Sequence, residues 1–206
     1  MSISYPINIP THVDANAITL RTVNSVATSM SPFSNKQQVV AHSGQLWEAE
    51  LTLPPMDRAD AEQWVAFLVS LRGMLGTFLM GDPSGVTPRG SAGGTPIVRG
   101  ANQTGDILLI DGATASQTGY LKSGDYLQVG AGATASLHKV LADVNSDGSG
   151  NVNIDIWPSI KTAPTDNSTV VLSSAKGLFR LISNETSWNI TAASIYGITF
   201  GARQAL

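Results

Sequence analysis

Cysteine is missing from all 206 residues, which excludes disulfides, thiolate nucleophiles and cysteine-ligated metal sites together. Charge is scarce as well: 13% of residues are Asp, Glu, Lys or Arg, and the formal net charge is -3. A chain so poor in basic residues has little with which to track a phosphate backbone, so its composition argues against nucleic acid as a partner. Long apolar runs are also lacking. No stretch approaches the ~18 uninterrupted apolar residues that mark a membrane-spanning helix, and the opening MSISYPINIPTHVDANAITL has no basic segment followed by an apolar one. The sequence predicts a soluble protein with no secretory or membrane address; release by cell lysis would leave no trace in it.

Helical periodicity is rare, and one segment carries it clearly, MDRADAEQWVAFLVSLRG. Asp57 is an N-cap residue, and Asp60 and Glu62 place negative charge where the helix dipole favours it. Ala61, Trp64, Val65, Leu68 and Leu71 form an apolar stripe, and Gly73 suits the stop, so a helix is predicted from about Arg58 to Arg72. Upstream, QLWEAELTLP alternates. Leu46, Glu48, Glu50 and Thr52 fall on one side, and Trp47, Ala49, Leu51 and Leu53 on the other, as in a half-buried strand ended by Pro54 and Pro55. GTFLMGDP is a second short strand closed by Gly81 and Pro83.

Beyond Pro83 the texture changes. SGVTPRGSAGGTP has no periodicity and reads as a linker or exposed loop. After it come short strands with turn signals between them: PIVRGA, DILLIDG, GDYLQVG, a stretch around LHKVLADV, NVNIDIW and TVVLSS. So many strands in so short a span, without a clear helix, suggest a small OB-like barrel. The last segment returns to alternation, with Phe179, Leu181, Trp188, Ile190, Ile195, Ile198 and Phe200 as expected core positions. The fold class expected is mainly β (α+β). Residues 1–83 and 177–206 form a β-sandwich scaffold with one helix, and residues 84–176 an inserted OB-like β-barrel.

Three stretches invite a chemical reading. DVNSDGSGNVNIDIW, from Asp143 to Trp157, looks like a calcium loop. Counted from Asp143, Asn145, Asp147 and Gly148 fall at the EF-hand positions, but Gly150 stands where a hydrophobic residue belongs and Ile154 where a bidentate carboxylate belongs. A hairpin tip needs the same residue types; Asp155 is the carboxylate that would have to complete a weak, irregular site. VGAGATASLHKVLAD holds G-x-G-x-x-A after a strand, the weakest form of a dinucleotide fingerprint. Its sequel has spacing for either a short helix or a strand, and it lacks the surrounding alternation of strands and helices. Gly130 and Gly132 are better read as a loop. His12, His42 and His138 lie in unrelated segments without metal-ligand spacing or a nucleophile elbow. Asp106 and Asp111 are scattered rather than paired. The sequence therefore assigns no catalytic, cofactor-binding or metal-binding residue, and a non-enzyme is expected.

SPFSNKQQVVAHSGQLWEAELTLPPMDRADAEQWVAFLVSLRGMLGTFLMGDP and the later GDYLQVG…LHKVLADVNSDGSGNVNIDIWPSIK together resemble the distal tail proteins of long, flexible-tailed bacteriophages. The resemblance spans about Ser31 to Lys161, and its most specific parts are Trp47 with Leu53-Pro54-Pro55 and the run from Gly76 to Pro83. It implies a structural virion protein of the tail tip, assembled in the host cytoplasm. Such a protein forms a ring, usually a hexamer, between the tail tube protein and the hub and tip proteins, with the barrel on the outside. It implies no catalytic residue and no cofactor. The competing reading is a carbohydrate-binding module, in which the barrel holds a host-surface carbohydrate on exposed aromatics. Tyr120, Tyr126 and Trp157 are the aromatics available for that.

Overall fold

Alternation in the segment around Trp47 organises the first half of the molecule. The computed structural model describes residues 3–11 and 14–205. It begins with strands β1 (Ile7–Asn8), β2 (Ala17–Met30) and β3 (Gln37–Thr52), helix α1 (Arg58–Ser70) and strand β4 (Phe78–Met80). Next come β5 (Gly94–Val98), β6 (Gly105–Ala113), β7 (Tyr126–Val129), β8 (Ser136–Val140), β9 (Val152–Ile160) and β10 (Val170–Val171). The chain ends with β11 (Gly177–Leu181), β12 (Trp188–Ile190) and β13 (Tyr196–Gln204). Strands from the two ends of the chain form one sheet in the order β1-β4-β11-β13-β3-β2, with β12 beside β13.

Register decides which face of this sheet is core. Leu51 stands opposite Phe200 and Ala49 opposite Ala202, while Phe78 stands opposite Phe179, and all six are buried. On the other face Glu48 and Glu50 meet Arg203 at 2.6 Å and Arg21 at 2.8 Å. These exposed pairs are worth at most about 1 kcal/mol each. The sheet is therefore held by its apolar face, as the alternation predicted.

Helix α1 covers that face. The Asp57 carboxylate accepts the Asp60 N–H at 3.2 Å, satisfying one amide that the first turn leaves free. Ala61, Trp64, Val65, Leu68 and Leu71 are buried, joined by Phe67. Phe67 packs edge-to-face on Phe78 with centroids 5.4 Å apart, and Trp64 lies 6.1 Å from Phe200. Full burial of each large side chain contributes about 2 kcal/mol. The helix ends at Ser70 rather than Arg72, because Arg72 and Gly73 take positive φ of 51° and 67°, outside the helical region.

Residues 94–171 form the second sheet, ordered β10-β7-β8-β9-β6-β5. It nearly closes on itself: Ile97 bridges Thr169, the Val98 N–H donates to the Ser168 carbonyl, and the Asn167 N–H donates to the Val98 carbonyl, both at 2.9 Å. Leu108, Ile110, Leu127, Val140, Ile154 and Ile156 fill the interior. The protein is thus mainly β, a β-sandwich scaffold with one helix plus a small barrel-like sheet.

Two local readings change. SGVTPRGSAGGTP is pinned rather than free: the buried Asp125 carboxylate accepts the N–H groups of Arg89 (2.8 Å), Gly90 (3.2 Å) and Lys122 (2.8 Å). Trp188, Ile190 and Ile195, expected in the core, are instead 38%, 51% and 37% exposed. β12 pairs with β13 at the margin of the sheet, so its alternation has no second layer to face.

Candidate functional site

The turn after Asp143 spends its oxygens on the chain itself. Asp147 accepts the N–H groups of Ser149 and Asn151, each at 2.8 Å, and the Asn151 side-chain amide at 2.7 Å. These bonds, that from the Asn151 side chain foremost, hold its pKa below the usual value. Asp143 accepts the Ser123 N–H at 2.8 Å, and Asn145 the Gly119 N–H at 2.7 Å. Asp155 sits mid-strand on β9, facing solvent opposite Ile107. The loop is a self-capped hairpin tip, and the described residues hold no cluster of three or more His, Asp or Glu able to take a metal ion.

Gly130 follows β7 with φ of 75°, and residues 132–134 make a single 3-10 turn before β8. The G-x-G-x-x-A stretch is therefore a connection between antiparallel neighbours. Of the barrel aromatics, Tyr120 and Tyr126 are buried. Trp157 packs edge-on against Trp47 at 4.6 Å and donates its indole N–H to Asn24 at 2.9 Å. Asp106 is exposed and Asp111 half-buried, five residues apart on β6.

The histidines are not brought together. His12 lies outside the described residues, and His42 is exposed on β3 opposite Ser25. His138 is buried in the second sheet, its Nδ1 2.7 Å from the Pro158 carbonyl and its Nε2 2.8 Å from the Ser136 hydroxyl. A carbonyl can only accept, so Nδ1 carries the proton and Nε2 accepts from Ser136. Nucleophile, base and orienting group stand here in the order of a hydrolytic relay. Burial, however, pushes the His138 pKa down to about 4, far below what a general base at neutral pH requires. The arrangement fixes a tautomer more readily than it activates an oxygen. Ser136 and His138 stand two apart on one strand, so a shared face was legible in S-x-H; the Pro158 partner, twenty residues on, was not.

Both side chains line a cavity of about 380 Å3 at the seam between the second sheet and Ala205, just past β13. Lys161 is also among the lining residues, and its ammonium is shielded from water and makes no hydrogen bond with the described residues.

Among the described residues, β2 and β3 also form an arm. β2 and β3 pair from Ala17–Thr52 out to Met30–Gln37, with a register shift between Val23 and Ser25. β13 accompanies β3 along Glu48–Thr52. From Ser25–His42 to Met30–Gln37 the two strands form a ribbon whose residues are all exposed. Directly opposed residues share a face, so Val26, Ala41, Val39 and Met30 lie together on one side. Val26, Val39 and Met30 are 51%, 57% and 57% exposed, and Phe33 at the tip is 98% exposed.

Comparison with protein-family models and with curated proteins finds no match. None of the helices among the described residues is long and apolar enough to cross a membrane.

Proposed function

We propose that the chain is a structural subunit of a bacteriophage tail tip, a distal tail protein whose copies form a ring, six to the ring, between the tail tube and the tip complex. The arm carries this reading. A two-stranded ribbon is marginal by itself in water, and exposed apolar residues on flat strands are a template for another chain. The outer edge of β2 and the opposite edge of β3 beyond Leu46 both lack a strand neighbour among the described residues, and they face opposite ways. Such a ribbon fits a second copy head to tail, and head-to-tail contacts with a fixed rotation close into rings. The resemblance of the sequence to distal tail proteins supplies the biological setting. The role needs no catalytic group and no cofactor. Nothing in the geometry favours the sugar-adhesion alternative, since the aromatics it relies on are buried or packed on Trp47.

Light scattering in line with size exclusion, followed by negative-stain imaging of the largest species, tests the reading. Six-fold rings, formed alone or with tail tube protein, are expected. A strict monomer at high concentration that makes no ring even with tube protein overturns it.

A further inference from the structure

We propose that the cavity between β8, the 161–168 loop and Ala205 is a binding site for a small hydroxycarboxylate, with Lys161 as its counter-charge and Ser136 as its hydroxyl acceptor. The inference is independent of ring formation.

The cavity's volume, about 380 Å3, falls in the range of small-molecule sites, which begins near 300 Å3. Its wall carries one cation. The Lys161 Nζ is shielded from water without a hydrogen bond among the described residues, and a charge so placed loses hydration without compensation unless an anion reaches it. Asp106 is the carboxylate whose field acts on Lys161, but it is exposed on β6 and makes no ion pair with it within 4.0 Å. The charge requirement is thus one carboxylate, brought from outside.

The hydroxyl requirement follows from His138. With Nδ1–H committed to the Pro158 carbonyl at 2.7 Å, Nε2 takes the Ser136 hydroxyl proton at 2.8 Å. The Ser136 oxygen has donated its only proton and keeps acceptor capacity, so it selects a ligand that brings a donor. Thr134, Thr165 and Ser168 add hydroxyls to the lining, Thr165 and Ser168 being 2.8 Å apart. The wall has no Phe, Tyr or Trp, which disfavours recognition by stacking on a neutral sugar. A carboxylate flanked by hydroxyl groups meets both requirements.

The test is a chemical-shift titration of the full chain at constant ionic strength with sodium D-gluconate, using sorbitol and sodium acetate as the comparators that lack one group each. Gluconate should bind saturably, moving the amides of residues 133–136 and 161–168, while sorbitol and acetate bind at least about tenfold more weakly, the worth of a charge-assisted hydrogen bond. Lys161→Gln should weaken gluconate by about tenfold or more. Asp106→Asn, which removes the opposing charge, should tighten it severalfold. Far-ultraviolet circular dichroism checks that both variants fold. Absence of saturation with gluconate, parity between gluconate and sorbitol, or the same affinity in Lys161→Gln overturns the proposal. A loss of affinity in Asp106→Asn also overturns it, because the cation would then not be what the ligand meets.

Discussion

Trp47 donates its indole N–H to the Leu137 carbonyl at 3.1 Å and sets its ring 4.6 Å from Trp157 and 6.0 Å from Tyr126. One side chain of the scaffold thereby anchors three strands of the second sheet. Trp47→Ala should cost about 3–5 kcal/mol in urea unfolding, as buried Trp truncations do. Trp47→Phe, which keeps most of the apolar body but removes the donor, should cost about 1–3 kcal/mol; no loss in Trp47→Phe would show that the hydrogen bond to Leu137 is immaterial. His138 gives the residue scale its pH dependence. Burial lowers its pKa from 6.5 to about 4, so between those values the unfolded chain binds a proton that the folded chain refuses. Stability from this group is complete above pH 6.5 and declines as pH falls toward 4, by on the order of 3 kcal/mol. Urea unfolding at about pH 7.5 and about pH 4.5 measures the loss, which should be shallower in His138→Gln. An identical loss in that variant would assign the acid sensitivity elsewhere.

Among the elements, α1 was the most legible in sequence, because each of its signals is local. Asp57 caps it, the stripe from Ala61 to Leu71 faces the sheet, and Arg72 and Gly73 turn out of it. The half of β3 around Trp47 was legible for the same reason, since alternate residues meet core and solvent. The other half was not: AHSG and TVNSVATSM have no buried side to impose alternation, so the arm shows itself only in pairing distant in sequence. Trp188, Ile190 and Ile195 mislead in the opposite sense, alternating where no layer covers them. The same exposure makes a separable prediction for the arm. Val26→Asp with Val39→Asp should change monomer stability by no more than about 0.5 kcal/mol per site, as exposed substitutions do. It should abolish assembly in light scattering, because two charges would then line the apolar side of the ribbon. Rings that persist in the double variant would remove the arm from the subunit contact.

At the scale of the whole molecule, the second sheet leaves and returns to the scaffold at one point. Met80 of β4 and Gly177 of β11 are direct antiparallel partners, so the strands flanking the excursion are already neighbours and a short turn between them keeps their register. The two bodies are nonetheless not independent in energy. Tyr126, Leu137 and Trp157 pack into the scaffold's own core beside Trp47, Gln45 accepts the Ser159 N–H at 2.8 Å, and Gln128 accepts the Lys176 N–H at 2.9 Å. A Cβ at Gly177 would come within 2.8 Å of that of Leu137, which measures how closely the surfaces approach. Replacing residues 84–174 by a tight turn should leave a folded scaffold that is less stable, by about 2–3 kcal/mol for the uncovered Trp47 alone. The arm is untouched by this deletion, so the shortened chain should still assemble when mixed with tail tube protein at concentrations that give rings of the full chain. A folded, shortened chain that stays monomeric under those conditions would mean that the second sheet takes part in the subunit contact instead of standing outside it.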